Sequence, residues 1–465
     1  MRARAWRLAV VALAAFLTAG CASFPETGRL DKYDPNKGYR YELLEANGND
    51  DELFVVLTFS GGGTRAAAFS YGVLEELRKT TVTINGERRN LLEEVDLISS
   101  ISGGSFTAAY YGLRGDEIFQ EGGRFQRNFL YRDVQGELFG SLFNPYNWLR
   151  LASPEFGRIE LATELYQELL FDNATFRDLE RQARKPYLMI NATDMTKGSR
   201  FTFVQPQFDP PCADLATVPI ARAVAASSNF PIAFTPLALN SYPGSCNYTE
   251  PPWVKNALND LDVNPRRYYS ARLLRTYQEK NRGYIHLLDG GVADNIGLRG
   301  PLTSLTSGDV TPSILNKLNN KQINKLVVIV VDAKNETPNA ADQSPSAPEL
   351  PAVVKSIATV PLDNYSFDTL ELLQQVFRER DKNQRLQPGL HQVEIYRIYI
   401  GFDQIKDEAE RARFFSIATS FDLPQEQVGT LRRKGAELLR QSPCLKALLE
   451  TGSVPKQPGA SRLCP

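Results

Sequence analysis

The feature that most restricts the fold is a unit met twice in the first quarter of the chain: an apolar run, a glycine turn, then residues at helical spacing. Leu53-Phe54-Val55-Val56-Leu57-Thr58-Phe59 is apolar almost throughout rather than alternating, as a strand covered on both faces requires. It stops at Ser60-Gly61-Gly62-Gly63, and Ala66 to Arg78 then sets Ala, Phe, Tyr, Val and Leu at helical intervals. Val95 to Ser102 is a second buried-strand candidate, ended by Gly103-Gly104-Ser105 and followed by a helix-compatible stretch from Phe106 to Leu113. Strand, turn and helix in repeated succession predict an α/β fold with a mainly parallel sheet covered by helices on both faces.

The rest of the chain extends this pattern. Residues 118 to 185 read as a helical insertion, with Arg158 to Leu170 its clearest amphipathic part, and Tyr187 to Thr193 with Arg200 to Val204 read as a strand pair. Ile220 to Ser228 is a helix of small residues, Tyr284 to Leu288 a strand ending at Asp289-Gly290-Gly291, and Leu326 to Val331 the most apolar strand. After a Pro, Ala and Ser-rich loop from Asn335 to Pro351 come a helix, a strand at Val393 to Ile400 and two helices between Glu408 and Glu450. The expected organisation is a leader over 1–20, a linker over 21–50, a catalytic domain over 51–335, and an α/β extension over 336–465 packed on the same domain.

The first segment sets the compartment. Arg2, Arg4 and Arg7 precede an apolar run, Leu8 to Ala19, that is too short to span a bilayer as an ordinary helix and reads as an export signal. It ends in Leu17-Thr18-Ala19-Gly20-Cys21, which resembles a bacterial lipoprotein processing box, so Cys21 is expected to carry lipid. With no Asp after Cys21, the sorting pattern resembles the outer-membrane one. An exported chain permits disulfides, and Cys212 with Cys246 and Cys444 with Cys464 are the sequence-near pairing among three connectivities.

Charge narrows the partners. The chain has 53 basic and 54 acidic residues, and loss of the leader would leave 50 against 54. That balance offers no basic field for nucleic acid. Neither G-x-x-x-x-G-K-[ST] nor G-x-G-x-x-G occurs, which argues against a nucleotide, and no CxxC or Cys/His cluster suggests a metal.

Among residues able to do chemistry, Ser105 stands at a strand-to-helix turn beside Gly103 and Gly104, where a tight backbone would push a nucleophile out of the sheet and a helix N-terminus would favour developing negative charge. A serine needs a base, and the chain has only two histidines, His286 and His391, neither placed as a triad base. Asp289, ending a strand with Gly290 and Gly291 behind it, is the better base candidate at the same sheet edge. Asp294 and Asn295 just beyond read as capping and turn residues. Gly61-Gly62-Gly63 can aim successive N–H groups at one point as an anion-binding nest, with Arg65 steadying that loop or an anionic head group. Ser241 to Asn281, with Trp253 and several tyrosines, is either a lid over the site or a surface insertion.

The ordered set Gly61-Gly62-Gly63-Thr64-Arg65, Gly103-Gly104-Ser105 and Asp289-Gly290-Gly291, with the Ala-rich segment ending Ser227-Ser228-Asn229-Phe230-Pro231, resembles the patatin-like phospholipase family over residues 50 to 335. The resemblance implies a three-layer α/β/α fold and a Ser105–Asp289 dyad with the Gly61 to Gly63 amides holding the oxyanion. It also implies lipid acyl ester hydrolysis through an acyl-enzyme, of phospholipase A or lysophospholipase type, without metal or organic cofactor. Two rival expectations remain: an acyltransferase, in which an alcohol resolves the acyl-enzyme, and an inactive lipid-binding lipoprotein.

Overall fold

The computed structural model describes residues 22–45, 49–50, 52–231, 233–309, 312–336, 345, 347, 349–387, 389–450 and 461–464. The leader, Cys21 and most of the loop expected between Asn335 and Pro351 lie outside the described residues.

The continuous apolar runs do become buried strands. Leu53–Phe59 (β1) and Val95–Ile101 (β2) are buried at every position, and each feeds a helix, Gly63–Lys79 (α1) and Gly103–Arg114 (α2). The remaining strands of the main sheet are Tyr187–Asp194 (β3), Ser199–Thr202 (β4), Leu237–Asn240 (β5), Tyr284–Leu288 (β6), Lys325–Asp332 (β7) and Glu394–Gly401 (β8). Their order is β8-β7-β1-β2-β3-β6-β5, with β4 pairing β3. The pairs from β8 through β3 are parallel, and helices flank the sheet on both faces, giving three α/β/α layers. β6 departs from the all-parallel trend: it pairs antiparallel to both β3 and β5.

The extension belongs to the same core. β8 supplies an edge strand, and Gln425–Gln441 (α3) crosses α1 so closely that glycines are required at the contact: a Cβ on Gly72 would overlap the carbonyl of Arg432, and one on Gly435 would overlap that of Phe69. Gly72→Ala should therefore cost about 2 kcal/mol or more, because neither helix can give way without moving backbone, and a lowered denaturation midpoint would show it. Where two terminal helices were expected there are three, Glu408–Phe415, α3 and Pro443–Glu450. Disulfides join Cys212 to Cys246 and Cys444 to Cys464, with Cα separations of 5.5 and 5.7 Å. No helix among the described residues is long and apolar enough to cross a membrane.

Candidate active site

β2 ends in an abrupt turn, and the residue at its apex is Ser102. Its backbone, at φ 47° and ψ −120°, lies where a side chain is strained, a state that persists only where the surroundings enforce it. The enforcing contact is the hydroxyl of Ser227, which accepts the Ser102 N–H at 2.9 Å. The flanking glycines permit the close packing behind the turn, since a Cβ on Gly103 would overlap the carbonyl of Gly63 and one on Gly104 would lie 2.7 Å from the carbonyl oxygen of Ser60.

Ser105, the expected nucleophile, does not stand at this apex. Ser105 lies inside the first turn of α2, fully buried, with its hydroxyl 2.8 Å from that of Ser227. Ser227 donates its own proton to the Asn191 carbonyl at 2.6 Å, so Ser105 must be the donor of the pair. Ser227 thus accepts from Ser102 and Ser105 and donates once, and Ser105 is a brace behind the elbow. The side chain beside Asp289 is that of Ser102, whose hydroxyl helps hold the carboxylate ionised.

Asp289 reaches this point by an unexpected route. β6 enters from beyond the carboxyl ends of the parallel strands, pairing Leu287 with Asp194 and Leu288 with Thr193 on the part of β3 that overshoots its neighbours. The chain then stops level with the elbow: a Cβ on Gly290 would overlap the carbonyl of Asn191, which pairs with Ile101. The aspartate loop is pinned by Asp289 N–H to Asn229 O, 2.9 Å, and Gly290 N–H to Ser227 O, 3.0 Å, which is what the Ser227 to Asn229 segment does. Burial pushes the Asp289 carboxyl up to about 7, against the opposing pull of the Gly291 N–H, 2.8 Å away, and the Ser102 hydroxyl. Tyr166 lies buried between Phe106 and Phe421 with its hydroxyl beside Ser228 and within the field of Asp289.

The glycine loop is also sorted by its hydrogen bonds. The expected nest comprised Gly61, Gly62 and Gly63, but the Gly61 N–H is spent on the Asn295 carbonyl at 2.9 Å. The amides of Gly62, Gly63 and Gly103 have no acceptor among the described residues. Gly62 and Gly63 take φ values of 135° and 58°, which explains why glycine stands there. Arg65, nearly fully buried, steadies this loop rather than facing a head group: it donates to Ala333 O at 2.7 Å, Ile417 O at 2.7 Å and Asn335 Oδ1 at 3.2 Å. That grip brings residues 416–423 against the loop, where Ser420 O accepts the Thr64 N–H at 2.9 Å.

Other expected residues fall where their chemistry suggests. Asp294 accepts the N–H groups of Leu298 and Arg299, capping the following helix, whereas Asn295 does more than turn the chain, because its carbonyl holds Gly61. His286 is paired with Ala238 in the sheet and His391 lies 2.8 Å from the Ile323 carbonyl, so neither attends a serine. The 241–281 insertion is a helical pair with its own small core of Val254, Ala257 and Ala271, tied by the Tyr277 hydroxyl to Asp194 at 2.8 Å, and it makes no hydrogen bond with Ser102, Ser105 or Asp289 among the described residues. No group of three or more His, Cys, Asp or Glu side chains among the described residues converges as a metal-ligand set. A surface cavity of about 220 Å3 between Asn36 and Glu180 abuts Tyr39, whose hydroxyl meets Leu188 at the start of β3, and so lies at the opposite sheet edge from the elbow.

Fold and site together define a class: α/β/α proteins with a serine at a strained strand-to-helix elbow, a buried carboxylate facing it and free amides beside it. The sequence profile of the patatin-like phospholipase family matches residues 57–302, and the chain belongs to that family. Among solved structures, human GIVD cytosolic phospholipase A2 is similar at a TM-score of 0.45 and 13% identity, covering 86% of this chain, which spans 63% of the human one. VipD from Legionella pneumophila is similar at a TM-score of 0.32 and 14% identity, over 85% of this chain and 67% of that one. Among curated proteins, none matches significantly.

Proposed function

We propose that this chain hydrolyses carboxylic esters of lipids, with Ser102 as nucleophile and Asp289 as its base. One observation carries the reading: the strained residue at the end of β2 is a serine, and the group facing it is a buried carboxylate raised to about 7. A base of that strength is ionised in a useful fraction at neutral pH yet still able to take a proton.

In this scheme the Ser102 Oγ attacks the ester carbonyl as its proton passes to Asp289. The carbonyl oxygen gains the negative charge, and the N–H groups of Gly62, Gly63 and Gly103 stand where they can receive it. Collapse breaks the bond to the alcohol, which leaves with the proton from Asp289. Water then adds to the acyl-serine, Asp289 taking its proton, and fatty acid is released with Ser102 restored.

Family membership supports a lipid substrate, and phospholipids, lysophospholipids or neutral acyl lipids are the proposed classes. Export with a lipid on Cys21, on the outer membrane, is the accompanying proposal for location. Two disulfides support it, since such bonds persist in oxidising compartments. The deciding experiment supplies phosphatidylcholine in water and in water with excess glycerol, and identifies the products. Free fatty acid with lysophospholipid is expected in both. Acyl-glycerol as the main product would make the protein a transferase, and lipid bound without turnover would make it a binding lipoprotein.

A further inference from the structure

The helical insertion contains a hairpin whose outer face has no covering among the described residues. Helices Val134–Ser141 and Pro145–Leu151 leave Phe139 57%, Phe143 78%, Tyr146 65% and Trp148 58% exposed. The run from Leu138 to Leu149 contains no charged residue, and the nearest cations on either side are paired, Arg132 with Glu137 and Arg150 with Glu164. The indole N–H of Trp148 donates to the Leu142 carbonyl, so that ring has no unpaired polar atom to bring into an apolar medium.

Where the hairpin sits says what covers it. The Ala22 carbonyl accepts a hydrogen bond from Ser153 Oγ, and Phe24 N–H donates to Glu155 O at 3.0 Å, immediately after the second helix. A chain leaving a membrane at Cys21 therefore arrives at this face. On its other side the hairpin touches the site, since Gln135 Oε1 accepts from Ser420 Oγ at 3.0 Å, and Phe421 packs on Phe106 beside the elbow.

We infer that the 138–149 hairpin is a bilayer-docking surface, an aromatic wedge that seats in the interfacial region of a phospholipid membrane beside the anchor and presents the elbow to lipid. Uncharged Phe, Tyr and Trp clusters suit the boundary between head groups and acyl chains, and without basic residues the attraction does not depend on anionic lipid. The inference rests on the lipid-hydrolase reading for its purpose but not for its test.

The test uses the lipidated protein on phosphatidylcholine vesicles, with Trp253→Phe, and Trp6→Phe where the leader is retained, leaving Trp148 as the only indole. Brominated acyl chains should quench Trp148, and its emission should shift to the blue. Unquenched Trp148 on vesicle-bound protein would overturn the docking. In a second arm, Phe139→Ser with Phe143→Ser should lower turnover of vesicle phosphatidylcholine at least tenfold while leaving turnover of a short soluble butyrate ester within about twofold. Equal loss on both substrates, or none on vesicles, would overturn the inference, as would conversion of a dimer to a monomer by the double variant. If wild type cleaves neither substrate, the hydrolase reading fails, and the quenching arm still decides the docking.

Discussion

Ser102→Ala is expected to abolish covalent labelling by a fluorophosphonate ester and to lower ester turnover by about 10^4-fold or more, whereas Ser105→Ala should label and turn over at a substantial fraction of wild type. The two serines are three residues apart on either side of one glycine pair, so a general disturbance of the elbow would weaken both variants alike. They differ in what each hydroxyl touches. Ser102 faces the Asp289 carboxylate, and Ser105 donates to Ser227. Removing the Ser105 hydroxyl leaves Ser227 with its donated bond to Asn191 and the accepted bond from Ser102, a loss of about 1 kcal/mol of stability rather than of chemistry. Labelling that needs Ser105 and survives Ser102→Ala would refute this assignment of the nucleophile.

The elbow motif alone did not make that distinction in the sequence. The elbow pattern G-x-S-x-G fits neither serine fully: Ser100-Ile101-Ser102-Gly103-Gly104 keeps the last glycine and Gly103-Gly104-Ser105-Phe106-Thr107 keeps the first. Ser105 and Ser102 lie three residues apart, so the pattern offers both as candidates. What separates them is backbone conformation, and a serine at φ 47° is the opposite of what residue preference leads one to expect. The signal available was the end of the apolar run: the residue closing a buried strand is the one the turn ejects.

Much else was legible, for identifiable reasons. β1, β2 and β7 are central and parallel, so both faces are buried and the apolar run is continuous, which is the strongest strand signal. Asp289 stood out because it ends a strand with two glycines behind it, in a chain whose two histidines are not placed as a base. The direction of β6 was hidden, since alternation along five residues is the same read either way, and Asp289 reaches the elbow only because β3 overshoots. The loss of the Gly61 amide to Asn295, and the seating of residues 416–423 on the glycine loop through Arg65, depend on pairings across most of the chain, which no local pattern carries.

Asp289→Asn should have a double signature that separates a poised base from a merely structural acid. With the carboxyl at about 7, kcat/KM should rise with pH and level off above that value, and at pH 5 it should be about 100-fold below the plateau. The variant should lose most turnover at every pH, because an amide cannot take the proton. Stability should move the other way. The folded-state value of Asp289 lies above its ordinary 3.8, so below about pH 4 both folded and unfolded chains hold the proton and burial costs nothing through this group. Between pH 4 and 7 the unfolded chain loses its proton first and wild type becomes progressively less stable, by up to about 4 kcal/mol, and above pH 7 the penalty is constant. Asparagine does not titrate, so the Tm of Asp289→Asn relative to wild type should climb across that interval and then run parallel. A gap independent of pH would mean that the carboxyl is not held above its ordinary value, and with it would go the account of Asp289 as a base tuned by burial.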